Sequence, residues 1–287
     1  MDLVKDILRN MAVIALSVAV FLAGSFSQYI LSPLIADKTL GLVVPCAIRI
    51  LVTLLLAWAV SEKILKIDAE SLGLKLRKFE FSWIAVSLLL PLLVLAFYTF
   101  VLPGKAFVAK EGGLSGSLLY GFFCVGLPAG VTEELVFRGM IFRYMKKSLG
   151  EKTAVIVPAI LFACVHIMNM QAFDLTDLTL LVLAGSSVAV LFTLMALKSG
   201  SIWPGALAHT LWNFLIIGKV FGIGDVVNGS ANDSYIIIPV ESASKLLTGG
   251  NFGVEVALPS VAGYILATVF VCLPHKGRDL PPDFPPP

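Results

Sequence analysis

Two adjacent glutamates, Glu133 and Glu134, sit inside the apolar stretch Gly130-Val-Thr-Glu-Glu-Leu-Val-Phe-Arg138-Gly139. A carboxylate at the centre of a membrane-spanning helix costs roughly 2.5 to 3.5 kcal/mol on insertion scales, so an intramembrane ionisable residue is a functional candidate by default. Two side by side call for an explanation. Two of the chain's three histidines also lie in apolar stretches: His166 in Phe162-Ala-Cys-Val-His166, and His209 in Trp203-Pro-Gly-Ala-Leu-Ala-His209-Thr-Leu-Trp-Asn213. A spacing of four stacks His209 with Asn213 on one helix face and brings Arg138 to Glu134. Glu133 points about one hundred degrees away and is left without a local cation. Such a set has a direct use. A glutamate held away from bulk water can take a proton from a water, and one histidine can help hold that water. A second histidine with an amide can then donate hydrogen bonds to a developing oxyanion. This is the inventory for hydrolysing an amide or ester without a covalent intermediate. The sequence contains neither a Gly-x-Ser-x-Gly elbow nor a His-Glu-x-x-His pair.

The elements that must position these groups follow from composition. The chain is 58% hydrophobic and 14% charged, with a mean hydropathy of +0.93. It reads as an all-α, polytopic membrane helix bundle. Apolar runs near 11–33, 40–61, 82–102, 117–143, 152–170, 178–198, 201–222 and 254–274 give about eight candidate spans. Asp2 and Asp6 precede the first run and no small-residue cleavage site follows, so that run is expected to stay as a helix. With the amino terminus cytoplasmic, fourteen Lys and Arg fall inside and five outside, with both ends cytoplasmic and the cell membrane as location. Along these helices Glu133 lies roughly 15 Å from Arg143, His209 roughly 13 Å from Gly200 and His166 about 20 Å from Lys152, so the polar groups meet around the midplane. A cluster there needs a water-filled cavity.

Three regions follow: residues 1–110 as amino-terminal helices with an amphipathic cytoplasmic segment, 115–220 as a catalytic core, and 221–287 as outer loop, last helix and tail. The segment Glu62 to Glu80 suggests a short interfacial helix. The loop 222–253 is turn-rich and suggests a partly ordered lid or crossing loop. Asn228-Gly-Ser and Asn232-Asp-Ser match the glycosylation sequon, and Pro281 to Pro287 reads as a disordered tail. Cys46, Cys124, Cys164 and Cys272 have no metal-type spacing and read as small packing residues.

The ordered set Glu133-Glu134-x-x-x-Arg138, Phe162-x-x-x-His166 and His209-x-x-x-Asn213, each on its own apolar helix, resembles the CPBP family of membrane proteases. That family comprises CAAX proteases and bacteriocin-processing enzymes and is also called Abi. Phe137-Arg138-Gly139 and Ser201-Ile-Trp-Pro-Gly-Ala-Leu-Ala-His209 extend the similarity, which covers roughly residues 115 to 220. The resemblance implies that Glu133 and His166 activate water while His209 and Asn213 stabilise the oxyanion. Glu134 and Arg138 would be supporting residues, and Phe162 would pack near the site. It implies no cofactor or metal. The expected partners are the lipid bilayer and a hydrophobic, lipidated or membrane-bound peptide or protein substrate, with no nucleic acid. The family's members include endoproteases that remove the last three residues of prenylated CAAX proteins, others that process or export peptides, and immunity or scaffold proteins.

Taken singly, these residues also fit structural roles. Glu134 with Arg138 reads equally as a buried ion pair, His166 as a packing histidine and Asn213 as interhelical glue. Glu133 resists that reading because no local cation satisfies it. Two further classes stay open. One is a zinc hydrolase using Glu133, His166 and His209 as ligands, and the other is a non-catalytic adaptor or immunity protein on the same fold. A proton-relaying transporter is disfavoured, since neither repeat symmetry nor interrupted helices are visible.

Overall fold

Leu, Val, Ile and Ala dominate the apolar runs, and in lipid each run can satisfy its backbone polar groups only by coiling on itself. The computed structural model describes residues 2–67, 69–76, 80–102, 104–109, 113–170, 173–224 and 233–273. It is an all-α helix bundle. Six helical stretches are long and apolar enough to cross a membrane: Leu3–Leu34, Leu40–Leu65, Phe81–Phe100, Leu114–Leu149, Glu151–Asn169 and Leu175–Ser199. Their principal helices are α1 (Asp2–Leu31), α2 (Leu40–Ala59), α3 (Phe81–Phe100), the composite α4 (Leu114–Leu149), α5 (Glu151–His166) and α6 (Leu175–Ser199). Two shorter helices complete the order. The first, α7, begins as Trp203–Trp212 and runs on through a widened turn, Asn213–Ile217, and α8 spans Leu258–Cys272. Of the eight expected spans, six therefore reach full length.

The punctuation is local chemistry. Asp174 caps α6, its carboxylate accepting from the Asp177 amide at 3.0 Å, and α6 ends at Gly200 in the left-handed conformation. Gly150, at a φ of 83°, separates α4 from α5. Pro204 and Pro259 each stand in the first turn of their helix, where a missing N–H does no harm.

Two ends of the bundle can be told apart by their contacts. At one, near the start of α1, Asn10 Nδ2 donates to Ser148 Oγ at 2.8 Å and Trp203 Nε1 to the Leu74 carbonyl at 2.8 Å. Lys198 Nζ reaches the Cys272 carbonyl at 3.3 Å there. At the other end, Tyr98 Oη donates to the Leu247 carbonyl at 2.6 Å, and Lys245 pairs with Asp174 at 2.8 Å and Asp177 at 3.0 Å. Outward faces are apolar: Leu22, Phe26, Leu55, Leu92, Ile160 and Leu266 are all exposed, as suits a lipid solvent.

Three expectations need correction. The loop between α7 and α8 contains strands. β1 (Phe107–Val108), β2 (Phe221–Gly224) and β3 (Ile236–Pro239) form a sheet in the order β1-β3-β2, with β1 antiparallel and β2 parallel to β3. Ile237 and Ile238 turn into the core, so burial of an isoleucine run decides the matter. Among the described residues of Glu62–Glu80, no interfacial helix runs along the segment. A widened turn, Val60–Leu65, closes α2, a 3-10 turn follows at Ala69–Leu72, and fully buried Leu72 plugs the chain into a cluster with Leu135, Met140 and Ile202. The cysteines are free, but Cys164 and Cys272 are exposed, so only Cys46 and Cys124 fit the packing reading. The sequons at Asn228 and Asn232 and the tail from Pro281 lie outside the described residues.

Candidate active site

Helix α4 is irregular where the chemistry lies. Gly121–Gly126 and Leu135–Ile141 are wide, i→i+5 turns flanking the regular segment Leu127–Glu134. Such bulges re-aim side chains and recur at functional sites. Close approach of α7 is permitted by glycine: a Cβ on Gly130 would stand 2.2 Å from Thr210 Oγ1 and 2.7 Å from the Ala206 carbonyl. Across the same contact, Gly205 faces Glu134, where a Cβ would stand 3.1 Å from Oε2.

Arg138 is buried and its planar fork is fully used. Nη1 donates to Glu134 Oε1 at 2.9 Å, Nη2 to the Ala189 carbonyl at 2.9 Å, and Nε to Thr193 Oγ1 at 3.4 Å. Its guanidinium lies over the rings of Phe162 at 5.0 Å and Phe192 at 5.5 Å. The expected pairing of Glu134 with Arg138 is present, and it extends further. The same Glu134 Oε1 accepts from His209 Nδ1 at 3.0 Å, with the ring stacked on Phe192 at 5.2 Å. Placing the His209 proton on Nδ1 leaves Nε2 facing Glu133 Oε2 at 3.9 Å. That is too long for a hydrogen bond, so an oxygen beside both atoms could contact each.

His166 ends α5. Its Nδ1 lies 2.7 Å from the Phe162 carbonyl, which accepts the ring proton and leaves the Nε2 lone pair free. Phe162 touches both imidazoles, at ring separations of 4.7 Å to His166 and 6.1 Å to His209. The Asn213 amide opens the wide turn of α7 and has no protein hydrogen-bond partner among the described residues. Glu133, His166, His209, Asn213 and Phe162 all line one cavity of about 330 Å³. Glu134 and Arg138 stand behind its wall. All seven residues singled out in the sequence therefore gather in one place. Among the described residues, no three His, Cys, Asp or Glu side chains converge as a metal-binding group.

Two participants escaped sequence reasoning. Arg49, on α2, donates to Thr132 Oγ1 at 3.0 Å and to Gln28 Oε1 at 3.1 Å, setting a positive charge behind the turn that bears Glu133. A lone arginine in an apolar run was the available signal. Glu255 lies in the 3-10 turn Val254–Val256 that straps the far end of the bundle, and it lines the same cavity. Desolvation pushes its carboxyl up from 4.5 to about 7, with His209 opposing and Glu133 adding to the rise. Its place at the start of the expected span near 254–274 was the available signal.

Residues 115–215, 101 of the 287, match the family described as Type II CAAX prenyl endopeptidase Rce1-like. The matched segment contains Glu133, Glu134, Arg138, Phe162, His166, His209 and Asn213. Comparison with curated proteins and with solved structures returned no match.

Two outcomes follow from this geometry. Arg138→Ala should destabilise the fold by about 3 to 5 kcal/mol, because Glu134 is left buried beside nothing but His209. Adding Glu134→Gln should recover part of the loss, as read by thermal unfolding in detergent. Glu255 favours its neutral form when folded, so the stability it contributes is present below the unfolded value of 4.5 and is lost as pH rises through about 7. Glu255→Gln should therefore raise the melting temperature relative to wild type more at pH 8 than at pH 5. An equal difference at both values would contradict that assignment.

Proposed function

Taking the chain as a CPBP-family membrane protease, we propose that it hydrolyses a peptide bond of a hydrophobic or membrane-bound substrate by a glutamate-activated water, without a metal. The observation that carries this reading is the division of labour between the adjacent carboxylates. Glu134 is spent on Arg138 and His209, whereas Glu133 faces the cavity with no ion-pair partner closer than His209 at 3.9 Å. Only a carboxylate of the second kind is available as a base.

In the proposed sequence, Glu133 takes a proton from a water held against the free Nε2 of His166. The hydroxide attacks the scissile carbonyl carbon, and the charge formed on its oxygen is met by the Asn213 amide and His209. For His209 to donate through Nε2 the ring must be the imidazolium, and that cation would lie between Glu134 and Glu133. Collapse of the tetrahedral intermediate breaks the C–N bond, and Glu133 returns its proton to the leaving amine. The apolar walls around the charges raise the worth of each hydrogen bond.

The orientation of the bundle bears on the substrate. The sequence's split of fourteen to five in Lys and Arg between the expected inner and outer loops supports a cytoplasmic location for the end where α1 begins and α8 stops. The cavity is lined by Asn169, Asn251 and Glu255 from the opposite end. Substrate would then enter from the outer face, which favours an exported or membrane-inserted peptide over a cytoplasmic prenylated tail. A non-catalytic adaptor would have no use for the free carboxylate and amide in the cavity.

Purified protein in detergent should cleave members of a panel of hydrophobic and farnesylated peptides, with activity that resists chelators. Glu133→Gln should abolish turnover with the fold intact, and Asn213→Ala should lower kcat by roughly 10² to 10³. Cleavage by Glu133→Gln at the wild-type rate would reject the mechanism. For orientation, a phosphatase inserted at residues 241–243 should be active and one fused after Leu273 inactive. The reverse pattern would put the mouth on the cytoplasmic side and restore prenylated tails as the favoured class.

A further inference from the structure

The segment that closes the cavity is held in a defined shape. After the helical turn Lys245–Thr248, Gly249 and Gly250 adopt positive φ, and a Cβ on Gly250 would stand 2.2 Å from Asp177 Oδ1. The Asn251 amide donates to Asp177 Oδ2 at 3.2 Å, and Lys245 bridges Asp174 and Asp177. Two bonds fix the next turn: Ser260 Oγ donates to the Val254 carbonyl at 2.6 Å and Tyr264 Oη to the Glu255 carbonyl at 3.0 Å. The backbone of Glu255 is thus pinned from α8, while its side chain has no hydrogen-bond or ion-pair partner among the described residues.

The charges around it are unbalanced. Glu133 and Glu255 both line the cavity, and no Lys or Arg lines it. The nearby cations are engaged elsewhere, Arg138 with Glu134, Lys245 with the two aspartates of α6, and Arg49 with Thr132 and Gln28. Glu134 is neutralised in place, so the cavity wall carries two further carboxyl groups, Glu133 with His209 at 3.9 Å and Glu255 with no ion-pair partner among the described residues. Lining the cavity with Glu255 are Glu133 from α4, His166 from α5, His209 from α7 and Tyr264 from α8. The α6 residues that line it, Leu181, Ala184, Gly185, Val188 and Phe192, are apolar and bring no charge of their own.

We propose that Glu255 is a specificity-determining residue, binding a cationic side chain of the substrate close to the scissile bond. This rests on the endopeptidase reading above and narrows its substrate class to hydrophobic peptides carrying a Lys or Arg near the cleaved position. A cationic side chain placed against that carboxylate gains a charge-assisted contact that offsets the desolvation of both groups. A carboxylate-bearing side chain at the same position meets two like charges instead.

The test uses two hydrophobic peptides identical except for Lys or norleucine beside the scissile bond, and a third with Glu there, at pH 8. Binding is measured to full-length Glu133→Gln protein in detergent, so the readout does not depend on turnover, and kcat/KM is measured with the active chain. The Lys peptide should bind about tenfold tighter than its norleucine partner. Adding Glu255→Gln should bring that ratio to within about twofold, and Glu255→Lys should make the Glu peptide the preferred one. Should a Glu255 variant fail to fold, Glu255→Asp supplies a second series at the same position. Equal affinity for the Lys and norleucine peptides, or a Lys preference that survives Glu255→Gln, would overturn the assignment. Selective binding with no cleavage of any peptide would uphold Glu255 and count against the enzyme, so the two readings fail separately.

Discussion

The site depends on one buried charge pair, Arg138 with Glu134, at 2.9 Å and almost without exposure. Two ions removed from water are costly, and their mutual attraction compensates only when the remaining donors and acceptors are also satisfied. Here the guanidinium has three protein partners and three aromatic neighbours, so the cation is held on every side. Because those partners belong to α4 and α6, the pair fixes the separation and rotation of two helices. Because Glu134 Oε1 also holds His209, it fixes the imidazole of a third. Lysine could supply the charge but not the fork, and the contact to the Ala189 carbonyl would be lost.

The pair can form because the helices around it come unusually close. Gly130 against Thr210 and Gly205 against Glu134 let α4 and α7 approach until a carboxylate and an imidazole meet directly. A methyl group on Gly130 would collide with Thr210 and the Ala206 carbonyl, and one on Gly205 would crowd Glu134 Oε2. The wide turns at Leu135–Ile141 and Asn213–Ile217 begin one residue after Glu134 and at Asn213. Irregular backbone at membrane depth is tolerated where it is buried in protein or borders a water-filled space. Both turns meet that condition.

The charged and apolar patterns made much of this legible in the sequence. In lipid a buried Glu, Arg or His stands out against its neighbours, so four polar members of the cavity, Glu133, His166, His209 and Asn213, and the pair Glu134 and Arg138 were identifiable from residue type and spacing. Hydropathy likewise located the helices, because backbone satisfaction leaves few alternatives. What escaped lies where those constraints relax. The sheet depends on Ile236–Pro239 meeting strands far off in sequence at Phe107 and Phe221, and no local period encodes such pairing. The segment after α2 carried an amphipathic pattern, yet docking of Leu72 and the bonds from Ser201 and Trp203 to Gly73, Leu74 and Lys75 outweigh its helical tendency. Glu255 falls at the start of the expected span near 254–274, a position that reads as interfacial, and only the fold of the strap brings it to the cavity.

The last two helices are too short to span the hydrocarbon on their own. Each of α7 and α8 has 15 residues, about 22 Å at the usual rise, against roughly 30 Å of hydrocarbon. Trp203 and Cys272 both lie at the end where α1 begins, so the shortfall of α7 and α8 falls at the opposite end, where α5 reaches His166. Two helices thus fall short beside the cavity, and longer α6 forms the remaining wall. The sheet and the strap occupy the space that complete helices would have filled, bringing polar backbone and residues such as Asn251 and Glu255 to the rim. A bundle of eight full-length helices would leave no room at that end for the loop residues that line the cavity with Glu133. The truncation that makes α7 and α8 poor membrane spans is therefore what admits the strap that carries Glu255 to the cavity.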